Sequence, residues 1–362
     1  MLKGAVLHHC AAGRGSRGER LVGNAVLAFF LAAASASAAQ AEEPHVFLGM
    51  CEPSAAVAIP GGSFDGLFAV ANDEDNQLRI YRANVPGNTV GEPLDLDAVL
   101  NPKPEREIDL EASAWLGDDI YWIGSHSRNN EGKQRKDRWR LFATRLKPDG
   151  SLSLSSSASV DDILKAVSKA NPALRSAILL NADKVGDLAP DKGGFNIEGM
   201  AAAKDGSGLL IGLRSPLLGL RFGDKPTQWN AVLFTVSLTE GGPGAENALG
   251  KSAFKIGPIH LLDLGGRGVR SMDYASALDA YFIVAGPVGG NEPFAIYRWS
   301  GADEDTPVLL PKATETLARF DRFTAEAMIL APEGDRALLL SDDGDICNKN
   351  APTFRGAVVE LR

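Results

Sequence analysis

The feature that most constrains this chain is a strand–turn–strand unit that recurs five times along it. Each copy has a short apolar run opened by a polar residue, a tight turn, a second apolar run ending in small or polar residues, a longer loop and a third, alternating run. The paired runs are 54–58 with 66–71, 111–116 with 120–125, 198–203 with 208–214, 270–275 with 280–286 and 326–330 with 337–342. Third runs follow at 77–81, 138–144, 231–238, 294–299 and 356–361, and fourth runs at 93–97, 151–155, 259–264 and 307–310. The fifth copy therefore lacks a fourth strand, while residues 45–50 read as a strand without a copy of its own. An early strand that completes the last unit is how a β-propeller closes its ring, and closure removes the sheet edges an open array would expose. The pattern predicts an all-β fold, a single propeller over 42–362 with five four-stranded blades. A six-bladed ring with one blade hidden and a pair of β-sandwiches are the alternatives. Only 161–181 breaks the pattern: Ile163, Leu164 and Val167 fall at helical spacing and Pro172 opens a second run. That spacing predicts a small helical insertion between the second and third blades, capping one end of the ring.

Residues 1–41 read as a targeting segment. Lys3, Arg14, Arg17 and Arg20 precede an Ala-rich apolar run at 21–34, and Ala39-Gln40-Ala41 offers a small-residue cleavage site. This is the layout of a secretory signal peptide, and the run is shorter than the ~20 residues a bilayer span needs. Removing it takes away four basic residues and Glu19, so the formal charge falls from −9 to −12. An acidic protein with no basic block after residue 41 is not expected to bind nucleic acid or to insert stably in a membrane; a periplasmic or secreted monomer is expected. Of 3 cysteines, Cys51 and Cys347 remain after cleavage. An even pair in an oxidising compartment predicts a Cys51–Cys347 disulfide, and the N-terminal strand of the closed ring would bring the two together. Closing so long a loop stabilises by on the order of 4 to 5 kcal/mol in the chain-entropy picture.

The wording of the repeats resembles the bacterial family catalogued as domain of unknown function 3616. The resemblance rests on Glu111-Ala112-Ser113-Ala114-Trp115, Gly124-Ser125-His126-Ser127-Arg128, Asn196-Ile197-Glu198-Gly199, Leu213-Arg214-Ser215-Pro216, Asp263-Leu264-Gly265-Gly266-Arg267-Gly268 and Leu340-Ser341-Asp342-Asp343-Gly344. It implies a repeat-built β fold and brings no activity and no catalytic residue. More distantly, Glu198-Gly199 and the second-strand endings are similar to phytase-related, esterase-like propellers, a likeness at the level of fold.

Loop lengths indicate which face works. Connections between first and second strands are short, whereas those after the second strand and those entering the next blade are long, and both long classes lie on one face of a four-stranded blade. Innermost strands begin on that face with Ser54, Glu111, Glu198 and Glu326, and Asp273 stands two positions into the fourth. His126, Arg128, Arg214 and Asp342 return to the same side from second strands. Converging carboxylates repel and raise one another's pKa unless a cation or arginines compensate. Glu111, Glu198, Asp273, Glu326 and Asp342 are thus candidate ligands of a divalent cation, and oxygen-only ligands suit Ca²⁺ or Mg²⁺. Arg128, Arg214, Arg267 and Arg270 are candidates to hold a small anionic ligand, and Glu198 or His126 to act as base. The alternative is that each carboxylate ties down amides of its own blade.

Neither a dinucleotide fingerprint nor a Walker motif is present, so no nucleotide cofactor is expected. No Gly-x-Ser-x-Gly elbow surrounds a serine, which disfavours nucleophilic serine chemistry. Two functional classes remain: a metal-assisted hydrolase of phosphate or carboxylic esters, and a non-catalytic exported propeller that binds a ligand or another exported protein.

Overall fold

Alternation decides the architecture, because each strand has two apolar faces and each must be covered by a neighbouring blade. In the second blade Ile120 and Trp122 join the apolar layer shared with the first blade, while Tyr121 and Ile123 join the layer shared with the third. Repeating this around the chain produces five inter-blade cores and a closed ring. The computed structural model describes residues 43–59, 66–100, 102–104, 106–159, 161–222, 225–238 and 254–362; the expected targeting segment lies outside them. Residues Ala41–Arg362 form one compact unit.

The fold is a five-bladed β-propeller of antiparallel four-stranded blades. Innermost strands are Pro53–Ala58, Leu110–Leu116, Asn196–Ala202, Gly268–Ala275 and Thr324–Leu330, and each pairs outward with the strand that follows it. The six-bladed and sandwich alternatives are thereby set aside. Residues His45–Leu48 pair antiparallel with Thr353–Glu360, so the earliest described strand is the outermost strand of the fifth blade, as the repeat count required. That seam is sealed by aromatic rings: Phe47 stacks on Phe354 at 5.0 Å between centroids and meets Phe68 of the first blade edge-on at 5.5 Å. All three are fully buried, and each large apolar side chain so placed stabilises the closed ring by about 1.5–3 kcal/mol.

Two departures from the sequence reading matter. Residues Leu218–Phe222, expected as loop, form an extra strand paired with the first half of Lys225–Leu238, so the third blade carries a protruding hairpin. The helical insertion is present as Asp161–Ala170 and Pro172–Ile178, with the Asn171 side chain accepting from the backbone N–H groups of Ala173 and Leu174. Instead of capping an end of the ring, its Ile163, Leu164, Val167, Leu174 and Ile178 sink into the layer between the second and third blades.

Among the described residues no helix is long and apolar enough to cross a membrane. Cys51 and Cys347 form a disulfide with Cα atoms 5.8 Å apart. Both facts are compatible with an exported protein.

Candidate functional site

One backbone device repeats in all five blades and builds the site. Each innermost strand carries a β-bulge against its partner near its start, between Pro53 and Ala55, Leu110 and Ala112, Ile197 and Gly199, Val269 and Ser271, and Ala325 and Ala327. The extra residue of a bulge leaves the ladder and its side chain is re-aimed. Here the extra residues are Ser54, Glu111, Glu198, Arg270 and Glu326, and all five line one cavity of about 590 Å³ at the channel mouth. Carboxylate oxygens of Glu111, Glu198 and Glu326 lie within 4.8 Å of one another.

The fourth ring position corrects the sequence reading. Asp273 does not join the ring, because the residue in bulge register is Arg270; Asp273 lies deeper in the channel beside Ser113, Met200 and Met328. There burial pushes its carboxyl up to about 6 against the opposing N–H groups of Tyr274 and Leu330. Arg270 faces both neighbours. Its Nε lies 3.0 Å from Glu198 Oε2 without the alignment of a hydrogen bond, and its Nη2 donates to Glu326 Oε1. Arg214 adds a 3.0 Å hydrogen bond to Glu198 Oε1 and one of 3.1 Å to the Val288 carbonyl. Burial pulls the Arg270 guanidinium down, whereas the Arg214 guanidinium is raised because Glu198 and Glu111 outweigh its desolvation.

The opposite side of the mouth lacks such compensation. Among the described residues Glu111 and Asp73 make no hydrogen bond or ion pair, and Asp73 Oδ1 is fully buried. Burial drives both carboxyls well above the usual range, and neighbouring acids add to it: Glu198, Asp109 and Asp73 for Glu111, Asp109 and Asp342 for Asp73. Asp342, which accepts from the Gly344 N–H, is raised by burial and by Glu52. The cavity is also lined by Asn130, Pro190, Asp191 and Asp345, from long loops of three blades, so the long-loop face carries it.

Three of the predicted residues stand elsewhere. His126, with a left-handed φ of 56°, turns its ring back so that Nδ1 meets the Gly124 carbonyl at 2.9 Å. Arg128 buries its guanidinium among five carbonyls, those of Gly132, Ile178, Leu179, Ala182 and Asp183, and so anchors the helical insertion. Arg267 is occupied by the carbonyls of Pro293, Leu264 and Gly265. The sequence reading left Asp73, Asp191, Asp345 and Asn130 out of the candidate set. For Asp73 the available signal is its place where a second strand returns to the working face, and for Asp345 the acidic run 342–345; for Asp191 and Asn130 there is none. Ser125 bonds to Asp109, with Arg138 at 2.7 Å from the same carboxylate, but the ring of His126 is turned away, so no Ser/His/Asp relay forms.

The fold and this mouth define a β-propeller with an acidic, arginine-braced central cavity. The family described as "Protein of unknown function (DUF3616)" matches residues 147–337, and the chain belongs to it. No curated protein matches the sequence. Among solved structures, a chain of a mitotic checkpoint complex is similar at 12% identity and TM-score 0.38, covering 93% of this chain and 100% of that one. The glutaminyl cyclase of Myxococcus xanthus is similar at 11% identity and TM-score 0.40, covering 89% of this chain and 97% of that one. A luciferin-regenerating enzyme is similar at 9% identity and TM-score 0.35, covering 85% and 77%. Likenesses of this order do not bear on function.

Proposed function

We propose that this protein is an exported propeller that holds a divalent cation, Ca²⁺ or Mg²⁺, at the channel mouth and hydrolyses phosphate or carboxylic esters there. The observation that carries the reading is the pair of half-buried carboxylates, Asp73 and Glu111, which among the described residues have neither hydrogen bond nor ion pair, in a cavity whose two arginines are already committed to Glu198 and Glu326. Buried carboxylates without donors either take up protons or hold a cation. Glu111, Glu198 and Glu326 offer the oxygens, with Asp73 and Asp342 beside them, and an all-oxygen set suits a hard cation. When bound, such a cation polarises an ester oxygen and lowers the pKa of a coordinated water.

The chain's own groups divide the remaining work. Glu198, pinned by Arg214, Arg270 and the 2.8 Å hydrogen bond from Asn196, is oriented rather than mobile. Arg214, with a side chain 22% exposed against 7% for Arg270, is the arginine placed to meet a substrate anion. Only Pro53 and Pro190 among the lining residues are apolar, which favours a compact polar substrate over a long acyl chain.

Metal analysis of the purified protein, followed by a panel of phospho- and acyl-esters with and without chelator, tests the reading. One equivalent of Ca²⁺ or Mg²⁺ and chelator-sensitive turnover are expected, with both lost in Glu198→Gln. A metal-free protein inert to the whole panel would instead favour the non-catalytic binding class.

A further inference from the structure

The wall of the mouth between the fifth and first blades has a construction unlike the others. Residues 49–52 cross from the outermost strand of the fifth blade to the innermost strand of the first, passing the loop 343–352. At its start that loop is fixed by Asp343, whose carboxylate accepts from Ser341 and Arg355 and whose N–H donates to the Cys51 carbonyl at 2.9 Å. At its end the Pro352 carbonyl accepts from the Gly49 N–H at 2.8 Å. The middle of the loop meets the crossing segment through the Cys51–Cys347 disulfide and the Lys349–Glu52 ion pair. The ion pair has a lysine side chain 62% exposed and contributes little. Asp345 of the cavity lies in this stretch, and the crossing segment runs directly into Pro53 and Ser54 of the cavity. Gly344 sits so close to Glu52 that an added Cβ would come within 2.1 Å of its Oε1, so the two segments are in close contact where the bridge joins them.

We propose that the Cys51–Cys347 disulfide is a redox latch on the cation site: oxidised, it holds the loop carrying Asp345 against the mouth; reduced, it lets that loop lift and weakens cation binding. The inference rests on the cation reading above. Cys51 is 4% exposed, whereas Cys347 is partly exposed between the exposed Ile346 and Asn348. A thiolate of a dithiol donor therefore attacks Cys347 Sγ, the S–S bond breaks, and Cys51 leaves as a thiolate that takes up a proton. The donor's second thiol then resolves the mixed disulfide. Two electrons and two protons pass to the cysteines and the donor becomes a disulfide. Asp342 stays in place through the Asp343–Arg355 anchor, so reduction loosens the wall without dismantling the ring.

The test measures calcium affinity calorimetrically for the full chain, oxidised and after dithiothreitol, with amide hydrogen exchange followed on the same samples. Reduction is expected to speed exchange across 344–351 while the blade strands stay protected, and to weaken calcium binding by on the order of tenfold, a typical strength of coupling between two sites. Linkage requires the reciprocal effect: saturating calcium should raise by the same factor the dithiol-to-disulfide ratio needed for half-reduction. Equal calcium affinity in the two states overturns the latch, and so does loss of protection throughout the propeller, which would make the bridge a plain staple. If the oxidised protein binds neither calcium nor magnesium yet 344–351 still loosens on reduction, the cation reading has failed and the regulatory role falls with it. If calcium binds but 344–351 exchanges identically in both states, the cation reading stands and the latch alone is refuted.

Discussion

Replacing Arg270 with methionine should cost far more than the loss of a surface charge, and the size of the cost follows from who is left behind. The Arg270 side chain is 7% exposed, Glu198 is 2% and Glu326 is 8%. Glu198 keeps Arg214 and Asn196, but Glu326 loses, among the described residues, the one side chain that pairs with it. Breaking a buried ion pair by deleting one partner costs about 3–5 kcal/mol, because the remaining charge stays desolvated. For a chain this long, with roughly 1.5–2 °C lost per kcal/mol, Arg270→Met should lower Tm by roughly 5–10 °C at pH 7. The defect should shrink as pH falls and the stranded carboxylate takes up a proton, which is the direction linkage requires. Adding Glu326→Gln to the same chain should recover a large part of the loss, since it removes the charge that Arg270 was holding. Urea denaturation of the wild type, both single variants and the double variant completes the cycle. A cost below about 1 kcal/mol, or no recovery in the double variant, would refute the claim that Arg270 is the ring's internal counter-charge.

Two other substitutions probe the rest of the design. Glu111 has a folded-state pKa raised by burial and by Glu198, so the folded state binds more protons and stability falls as pH rises through that window. Glu111→Gln should remove this slope and gain on the order of 1 kcal/mol at pH 8 without added cation, and forfeit stabilisation by calcium; thermal melts from pH 4 to 8 read both effects. Arg128→Ala strands carbonyls that a guanidinium now serves at 2.9–3.2 Å, which should destabilise by about 2–4 kcal/mol. Limited proteolysis should then open residues 179–185 first while cation binding survives, and an unchanged cleavage pattern would count against the anchoring role.

Strand order was legible because every blade writes the same alternation, and the mouth was legible in four blades because Ser54, Glu111, Glu198 and Glu326 open apolar runs at one register. The fourth blade departs because its first strand has Asp273 as its acid, whereas strand register puts Arg270 in the ring position. Only pairing, not residue type, distinguishes the two. His126 and Arg128 misled for a different reason. They follow a second strand that does return to the working face, but the chain takes a left-handed turn at His126 and carries both side chains behind the wall. Such a reversal leaves little trace in sequence when the residue is not glycine. The protruding hairpin is hard to read in the sequence because one continuous run at Lys225–Leu238 carries the hairpin partner along its first half and two blade neighbours along its second.

The five bulged positions share one backbone geometry, so the chemistry of the mouth is decided by their side chains and by the order of those side chains around the ring. Innermost strands of successive blades adjoin one another, and the fifth adjoins the first. Read in that order the ring is Ser54, Glu111, Glu198, Arg270 and Glu326. Arg270 thus stands between two glutamates and serves both, while Glu111 stands between Glu198 and the small, neutral Ser54. Ser54 makes no use of the cavity's charge, since its hydroxyl donates to the Leu110 carbonyl. The uncompensated negative charge is therefore displaced toward the junction of the fifth and first blades, where Asp342 and Asp73 also line the cavity. The cation proposed above would be drawn to that side, opposite the arginine, beside the wall that the Cys51–Cys347 bridge fastens. Two departures from glutamate in five, serine at the first position and arginine at the fourth, are what turn a ring of like bulges into a mouth whose negative charge lies to one side.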